Sequence, residues 1–238
     1  MAEGGTGEQA GGRVAVVTGG AGAIGTAIVA ALGSAGHTVL SLDQAGEPAV
    51  DLADQHQVRA AAAEVLRKHR RCDILVHAAA AFDQADLAAV ELASWRRVQA
   101  VNVESALLLA QAFVPGMAER GFGRIIFVVS DTIWGPPAAA LLPYVTSKSA
   151  LVGMARTLAV GHGGDGIAVT CVAPGLTETP AARQGMPAAV FEDVRSRQAL
   201  PRTLVPQDVA ATVAFLATDS AAALTGQTIC VDGGLILR

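Results

Sequence analysis

The chain has 238 residues, of which 52% are apolar and 26 are glycine, and its formal net charge is −4. This length suits one large α/β domain, and the lack of a basic run argues against binding to nucleic acid or to an anionic membrane. Three scattered cysteines without CxxC spacing are typical of reduced, buried thiols in a cytoplasmic protein, and they indicate no metal site. No uninterrupted apolar run reaches about 18 residues, so no membrane span is expected.

The first dozen residues are rich in glycine and lack an apolar centre, so we expect a flexible tail over 1–12 and a single domain over 13–238. Val14–Thr18 is a β-branched run that predicts a buried parallel strand. A glycine-rich turn follows, directly before an alanine-rich helix, and the backbone N–H groups of such a turn face a phosphate. The predicted phosphate-binding residues are Gly19, Ala23, Ile24 and Gly25.

The second predicted strand ends at Asp43, an acid placed to accept hydrogen bonds from an adenosine ribose and to repel a 2′-phosphate. Because no Arg or Lys lies in the glycine turn or beside Asp43, we expect NAD as the cofactor rather than NADP. Segment 50–52 could add a short strand that brings Asp51 and Leu52 to the adenine. A helix N-cap role for Asp51 or Asp54 fits that segment equally well.

A further apolar strand ends at His77 and opens into Ala78 and Ala79, whose small side chains let a ligand approach the backbone. We expect His77 to be structural or to contact the cofactor rather than to act as a catalyst. The next segment, 94–119, has the character of a long helix and contains Asn102 among apolar residues. A buried amide needs hydrogen-bond partners, so Asn102 has a structural or a functional role there.

The substrate side is predicted around Ser130, a hydroxyl at the carboxyl end of a central strand, where α/β sheets place their chemistry. The loop after it is apolar and rich in proline. Segment 176–204 is weakly periodic and broken by proline and glycine, as a substrate lid is. Trp134, Leu142 and Met186 are the predicted walls of an apolar pocket.

Tyr144 and Lys148 are four residues apart, so on a helix they share one face. A phenol ordinarily has a pKa near 10, which is too high for proton transfer at neutral pH. A neighbouring ammonium favours the phenolate and would lower the pKa of Tyr144. The pair therefore predicts a group that gives a proton to a developing alkoxide or takes one from an alcohol.

Strands and helices alternate from end to end, which predicts one α/β domain with a parallel sheet of about seven strands and helices on both faces. From residue 13 onward the sequence resembles the classical short-chain dehydrogenase/reductase family, whose fold is a doubly wound Rossmann-type sheet. The matching residues are Thr18, Gly19, Ala23, Ile24, Gly25, Asp43, Asn102, Ser130, Tyr144, Lys148, Pro174, Gly175, Thr179 and the segments 225–227 and 231–234.

The resemblance implies a role for each matching residue. Tyr144 would be the general acid/base, Lys148 would lower its pKa and bind the nicotinamide ribose, and Ser130 would hold the substrate oxygen. Asn102 would keep a water-linked proton relay to Lys148. The resemblance also implies a homotetramer, with a dimer as the alternative. Further cofactor contacts are implied for Pro174, Gly175, Thr177 and Thr179, together with Tyr144 and Lys148 themselves.

Three positions depart from the family pattern. Ala23 stands where the family commonly has a glycine, and segment 77–80 replaces the usual Asn-Asn-Ala-Gly. Ser130 precedes the tyrosine by 14 positions, one more than the pattern, so Asp131 and Thr132 are alternatives for holding the substrate oxygen. Counting along the strand favours Ser130.

The expected function is an NAD-dependent oxidoreductase that interconverts a secondary alcohol and a ketone, with an apolar, cyclic or aromatic small-molecule substrate. A dihydrodiol dehydrogenase that forms a catechol is an alternative compatible with the adjacent Ser130 and Asp131. A non-catalytic dinucleotide-binding sensor is a further alternative, but it would not need Asn102, Tyr144 and Lys148 together.

Overall fold

A computed structural model describes residues 12–237, and these form a six-stranded sheet in which all neighbouring strands are parallel. The strand order is β2-β1-β3-β4-β5-β6. Residues 1–11 of the predicted tail lie outside the described residues. The strands are β1 (Val14–Thr18), β2 (Thr38–Leu42), β3 (Ile74–His77), β4 (Gly123–Val128), β5 (Ile167–Pro174) and β6 (Thr228–Val231).

Helices cover both faces of the sheet, as predicted. Side chains of α2, α4 and α5 share one buried apolar cluster with the sheet, and side chains of α1 and α8 share the other. The near-continuous apolar strands are typical of a parallel sheet buried on two sides. The helices are α1 (Ala23–Ser34), α2 (Gln55–His69), α3 (Leu92–Gln99), α4 (Ser105–Glu119), α5 (Leu142–His162), α6 (Pro180–Gly185), α7 (Ala188–Arg197) and α8 (Pro206–Leu216).

The predicted short strand over 50–52 is wrong, which leaves six strands rather than about seven in the part of the chain that the structure describes. The Asp51 carboxylate accepts a hydrogen bond from the Ala53 N–H at 3.0 Å, and its backbone carbonyl accepts one from the Asp54 N–H at 3.0 Å. These local bonds make a turn instead of a strand. Asp54 is the N-cap of α2, which confirms that alternative.

The long helix predicted over 94–119 is one helical run, Leu92–Glu119, with a π-helical segment at Ala100–Glu104 between α3 and α4. By length and composition this run of 28 residues could cross a membrane, which the search for uninterrupted apolar stretches overlooked. Half of its most apolar window is buried inside the protein, and Phe113 and Met117 lie in the core. We interpret the run as a core helix of the domain.

The sheet has its switch point between β1 and β3, where the strand order reverses direction. The chain runs from β1 to β2 on one side of β1, and after β2 it crosses back to form β3 on the opposite side of β1. Ligands of doubly wound sheets bind at the carboxyl ends of the strands beside such a point. Gly19, Ala78, Ser130 and Gly175 all follow carboxyl ends of these strands, so the topology brings the predicted residues to one edge.

Candidate active site

A cleft of about 340 Å³ opens at the switch point. It contains the predicted residues Gly19, Asp43, Asp51, Leu52, Ala78 and Ala79. Gly22, Ala80 and Ala81 also line it and belong to the predicted glycine turn and small-residue segment, whereas the sequence analysis missed Gln44, Val50, Arg97 and Val101.

The glycine turn at one end of the cleft leaves no space for side chains. Gly19 has a φ of +69°, and a Cβ there would lie 2.7 Å from the Ala79 Cα. A Cβ at Gly25 would collide with the Gly19 carbonyl oxygen. The turn therefore brings backbone rather than side chains to the cleft beside the N-terminus of α1, which is the arrangement that binds phosphate groups.

Asp43 is held at the cleft by the backbone on both sides. Its carboxylate accepts hydrogen bonds from the Ala21 N–H at 3.1 Å and from the Ala45 N–H at 3.0 Å. Arg97 reaches the same cleft from α3, and its Nη1 lies 3.8 Å from the Asp51 Oδ2. The cleft thus presents carboxylates and one arginine. The search for cations near the glycine turn missed Arg97 because it lies far along the sequence.

Tyr144 and Ser130 meet beside this edge, but the pKa of the phenol is not lowered as predicted. Burial, with a contribution from the negative charge of Asp131, raises the pKa of Tyr144 to about 12, and hydrogen bonding with Ser130 opposes this shift. The Lys148 ammonium lies 5.6 Å from the centre of the Tyr144 ring. Because Lys148 bonds to the Val128 carbonyl, its charge does not offset the burial of the phenol.

Lys148 is almost fully buried, and its Nζ donates a hydrogen bond to the Val128 carbonyl at 2.8 Å. Burial lowers the pKa of Lys148 to about 8, because the charged form loses hydration. A buried lysine is a costly group to retain for stability alone. It sits one helical turn after Tyr144 on α5, as the spacing predicts.

Asn102 lies fully buried in the π-helical segment and is bonded on both sides. Its Nδ2 donates to the Ala81 carbonyl at 3.0 Å and to the Ser147 Oγ at 2.9 Å, and its Oδ1 accepts from the Ala81 N–H at 2.7 Å. Ser147 Oγ in turn donates to the Tyr144 carbonyl at 2.7 Å. Asn102 therefore links the loop after β3 to the first turns of α5.

Ser130 lies beside two other candidates for the substrate oxygen. Its Oγ accepts a hydrogen bond from the Thr132 Oγ1 at 2.9 Å, and it lies 3.4 Å from the Asp131 Oδ1. Burial, and then the negative charge of Asp232, raise the pKa of Asp131 to about 6. Hydrogen bonding with Ser130 lowers the pKa of Tyr144 and the charge of Asp131 raises it, so both residues act on the phenol.

Known proteins with this sequence pattern define the family. Residues 19–236 match the family model described as enoyl-(acyl carrier protein) reductase. The 3-oxoacyl-(acyl-carrier-protein) reductase FabG of Thermotoga maritima is 31% identical, over 95% of this chain and 98% of its own. The chain belongs to the short-chain dehydrogenase/reductase family.

Other members of the short-chain dehydrogenase/reductase family extend the comparison. The cis-4-hydroxycyclohexanecarboxylate dehydrogenase of Sinomonas cyclohexanicum is 32% identical, over 93% of this chain and 96% of its own. A Beutenbergia cavernae structure, provisionally assigned as an NAD(P)-dependent gluconate 5-dehydrogenase with NADP bound at low occupancy, has a TM-score of 0.87 and 32% identity. That match covers 95% of this chain and 97% of the solved one, and it confirms the doubly wound fold.

Short-chain dehydrogenases/reductases bind NAD or NADP, and the cleft fits a dinucleotide because its glycine turn brings backbone without side chains to the N-terminus of α1. The other predicted cofactor residues do not line the cleft. Ala23 and Ile24 form the first turn of α1. At the end of β5, beyond Pro174, the Thr177 hydroxyl donates to the Gly175 carbonyl at 2.9 Å, and the Thr179 hydroxyl accepts from the Ala182 N–H as the N-cap of α6.

The predicted substrate walls lie in two regions, the β4–α5 connection with the start of α5, and the end of α6. Trp134 is partly buried and packs against the cluster beneath α4 and α5, Leu142 begins α5, and Met186 ends α6. The sequence analysis missed Phe82, whose ring lies edge-on to Tyr144 with centres 4.9 Å apart and 51% of its surface exposed. An aromatic residue directly after the small residues at the end of β3 is the sequence signal that could have predicted Phe82.

Proposed function

We propose that this protein is an NAD-dependent oxidoreductase that interconverts a secondary alcohol and a ketone, with Tyr144 as the general acid/base. The observation that carries the proposal is the meeting of Tyr144 and Ser130 beside a dinucleotide cleft, with Lys148 buried one helical turn away. Family membership supports the reaction class, because relatives act as dehydrogenases and reductases. A non-catalytic sensor would have no need for this costly set of buried polar groups.

The chain's own groups account for the proton and for the orientation of the substrate. In the oxidising direction the Tyr144 phenolate takes the hydroxyl proton, and in the reducing direction the phenol returns it. The Ser130 hydroxyl donates a hydrogen bond to the substrate oxygen, which stabilises its alkoxide character. Hydride acceptance from the alcohol carbon is the chemistry that NAD supplies when bound.

Lys148 and Asn102 complete the proposed proton path. With a pKa of about 8, the Lys148 amine is mainly charged at neutral pH and close to the point at which it exchanges protons. Its charge would favour the phenolate of Tyr144 once the cofactor ribose is bound, and Asn102 would hold the relay to Lys148. In this role Gly19, Asp43, Asp51 and Leu52 would hold the adenosine and phosphate part of NAD.

NAD is proposed over NADP because of Asp43. Its carboxylate is fixed in the cleft by two backbone N–H groups, and a fixed negative charge repels a 2′-phosphate. Arg97 is a counter-argument, but its Nη1 faces Asp51 rather than Asp43. The related structure that holds NADP makes the preference a point to measure.

The proposed substrate is a small cyclic or aromatic secondary alcohol. Phe82 offers an exposed ring against Tyr144, and Trp134, Leu142 and Met186 remain the proposed apolar walls. The cyclohexane alcohol in the name of the Sinomonas relative is of this type. A dihydrodiol is the second candidate, because the carboxylate of Asp131 beside Ser130 could accept a hydrogen bond from a second hydroxyl.

The test is to incubate the purified protein with NAD and a panel of cyclic and aryl secondary alcohols while recording NADH absorbance. The proposal expects NADH formation with at least one cyclic alcohol and slower formation with linear ones. Catechol production from a cyclohexadiene diol would favour the second candidate. Absence of any absorbance change across the panel, and in the reverse direction with ketones and NADH, would refute the proposal.

We also propose a cytoplasmic homotetramer, as family members commonly are oligomers. Leu107 on α4, Val160 on α5 and Phe215 on α8 are exposed by 41%, 88% and 50% in the single chain. Large apolar side chains on two long helices are the kind of surface that a second copy covers. Light scattering after size exclusion measures the assembly directly; a monomer at micromolar concentration would contradict it.

A further inference from the structure

A buried histidine, His77, joins the strand before the glycine turn to the π-helical segment. The His77 Nδ1 lies 2.9 Å from the Thr18 Oγ1, and the His77 Nε2 lies 3.1 Å from the backbone oxygen of Asn102. The Thr18 Oγ1 also accepts a hydrogen bond from the Ala79 N–H at 3.1 Å. The imidazole is edge-on to the Phe127 ring on the neighbouring strand. Every polar atom of His77 thus has a partner inside the protein.

The partners assign one protonation state to the imidazole. A carbonyl oxygen can only accept, so the His77 Nε2 carries the hydrogen and donates it to Asn102. Burial, together with the charge of Lys148, lowers the pKa of His77 to about 3, so the ring is neutral in the working pH range. The His77 Nδ1 then accepts from the Thr18 hydroxyl, which leaves the Thr18 oxygen free to accept from the Ala79 N–H.

The hydrogen bond from the His77 Nε2–H goes to the backbone carbonyl of Asn102, inside the π-helical turn that orients the Asn102 side chain. Residues Ala100–Glu104 are π-helical, so this turn holds one residue more than an α-helical turn. If the Asn102 carbonyl returned to ordinary α-helical bonding, the side chain of Asn102 would rotate about the helix axis. Its three bonds to Ala81 and Ser147 need the present orientation.

We propose that His77 is a positioning residue whose neutral Nε2–H holds the Asn102 carbonyl, fixes the π-helical turn and so keeps Asn102 bonded to Ala81 and Ser147. The effect on turnover rests on the proposed function, whereas the effect on the turn does not. The histidine is a property of this chain, because the family usually has asparagine at the start of segment 77–80. His77 is not itself among the residues that line the cleft, and it reaches the proton relay through its hydrogen bond to the Asn102 carbonyl.

The structural arm of the test compares His77→Leu, His77→Gln and the control Val76→Ala. Val76 is a fully buried neighbour on β3, and its truncation destabilises the strand without removing a hydrogen bond. Nitrogen-15 spectra of the wild-type histidines should contain one ring that stays in the Nε2–H form as the pH falls to 5. Hydrogen exchange of the Ala81 N–H should accelerate in His77→Leu and stay slow in His77→Gln and Val76→Ala.

The functional arm uses the same variants with NAD and the best alcohol of the panel. Loss of one hydrogen bond to the relay segment should lower kcat of His77→Leu by about tenfold while the Kd of NADH stays unchanged. His77→Gln keeps an amide donor and should recover most of kcat. If His77→Leu is too unstable to purify, the same comparison can be made between His77→Gln and His77→Ala at reduced temperature.

Any of three results would overturn the inference. The first is an Nδ1–H tautomer for His77, and the second is unchanged Ala81 exchange in His77→Leu. The third is an equal fall of kcat in His77→Leu and Val76→Ala, which would indicate general destabilisation. If the wild-type protein oxidised no alcohol at all, the proposed function would fail while the tautomer and the Ala81 exchange still decided the role of His77.

Discussion

The two halves of the site are built in different ways. The cofactor half consists of backbone and small side chains at strand ends, such as Gly19 and Ala79, which approach each other too closely for any larger residue. The proposed substrate half consists of side chains on connections, such as Phe82, Trp134 and Met186, none of which lies in a strand. Under the proposed function, the difference teaches that the fold sets the binding of the common cofactor, whereas segments outside the strands set the choice of substrate.

The largest effect is expected from Lys148→Met, which alters the proton chemistry shared by both halves. Turnover should fall by roughly 10²- to 10⁴-fold, because the positioned proton-transfer system loses its cation. The free energy of unfolding should change by less than about 2 kcal/mol, since a buried charge is replaced by an apolar chain of similar size. Steady-state kinetics and urea unfolding measure the two effects.

Lys68→Met is the matched control, because Lys68 is the other lysine of the chain and is exposed on α2. It should leave both turnover and stability near the wild-type values. A Lys148→Met enzyme with nearly full activity would remove Lys148 from the proton path.

The next effect concerns the cofactor half alone. Asp43→Ala should weaken NAD binding by about tenfold and improve NADP binding, because a fixed carboxylate no longer bonds the ribose or repels a 2′-phosphate. The Kd values of NADH and NADPH from fluorescence titration give the preference. Glu47→Gln, an exposed acid on the same loop, controls for net charge. A wild-type preference for NADP would contradict our interpretation of Asp43.

On the substrate half, Phe82→Ala should lower kcat/KM for a cyclic alcohol by about fivefold, the worth of an aromatic contact. The Kd of NADH should not change, since Phe82 is outside the cleft lining. Leu87→Ala, a substitution of a residue that is 83% exposed in the same loop, should change neither quantity. Equal losses for cyclic and linear alcohols would show that Phe82 does not select substrate shape.

The smallest effect is expected from Asp131→Asn. The Asp131 charge raises the pKa of Tyr144, so its removal should shift the rise of alcohol oxidation toward lower pH by less than about one unit. The pKa of Asp131 is raised from 3.8 in the unfolded chain to about 6 in the folded protein. Protonated Asp131 therefore contributes fully to the free energy of unfolding below pH 3.8, and this contribution is lost as the pH rises through 6.

Asp131→Asn should accordingly be more stable than wild type at pH 8, by about 1–2 kcal/mol, but not at pH 4. The pH–rate profile and urea unfolding at both pH values make the measurement. Asp193→Asn removes the same charge from an exposed position on α7 and should shift neither. A shift of the pH–rate profile toward higher pH would contradict our conclusion that the Asp131 charge raises the pKa of Tyr144.

The same contrast explains which features the sequence could predict. Gly19, Asp43 and Tyr144 can be predicted as site residues because each role needs a particular residue type at a fixed distance from a strand or along a helix. Arg97 and Phe82 were missed because only tertiary packing brings them to the site. The raised pKa of Tyr144 was missed for the same reason: the i, i+4 spacing indicates proximity to Lys148, but the desolvation of the phenol depends on its whole surroundings.

The false strand at 50–52 has a local cause. Apolar residues on both sides of Asp51 suggested a strand, but the Asp51 side chain bonds its own backbone two residues on and so makes a turn. The π-helical turn around Asn102 gives no sequence signal of its own. In the structure its backbone is π-helical, and His77, Ala81 and Ser147 bond to Asn102 within it.

The most direct test of the central claim is Tyr144→Phe, because Tyr144 is the only tyrosine in the chain and no other phenol can replace it. Turnover of the best cyclic alcohol and the Kd of NADH should be measured in the same preparation. We predict that kcat/KM falls by at least about 100-fold while the Kd of NADH is unchanged. Turnover within a few-fold of the wild-type rate would contradict the role of Tyr144 as the general acid/base.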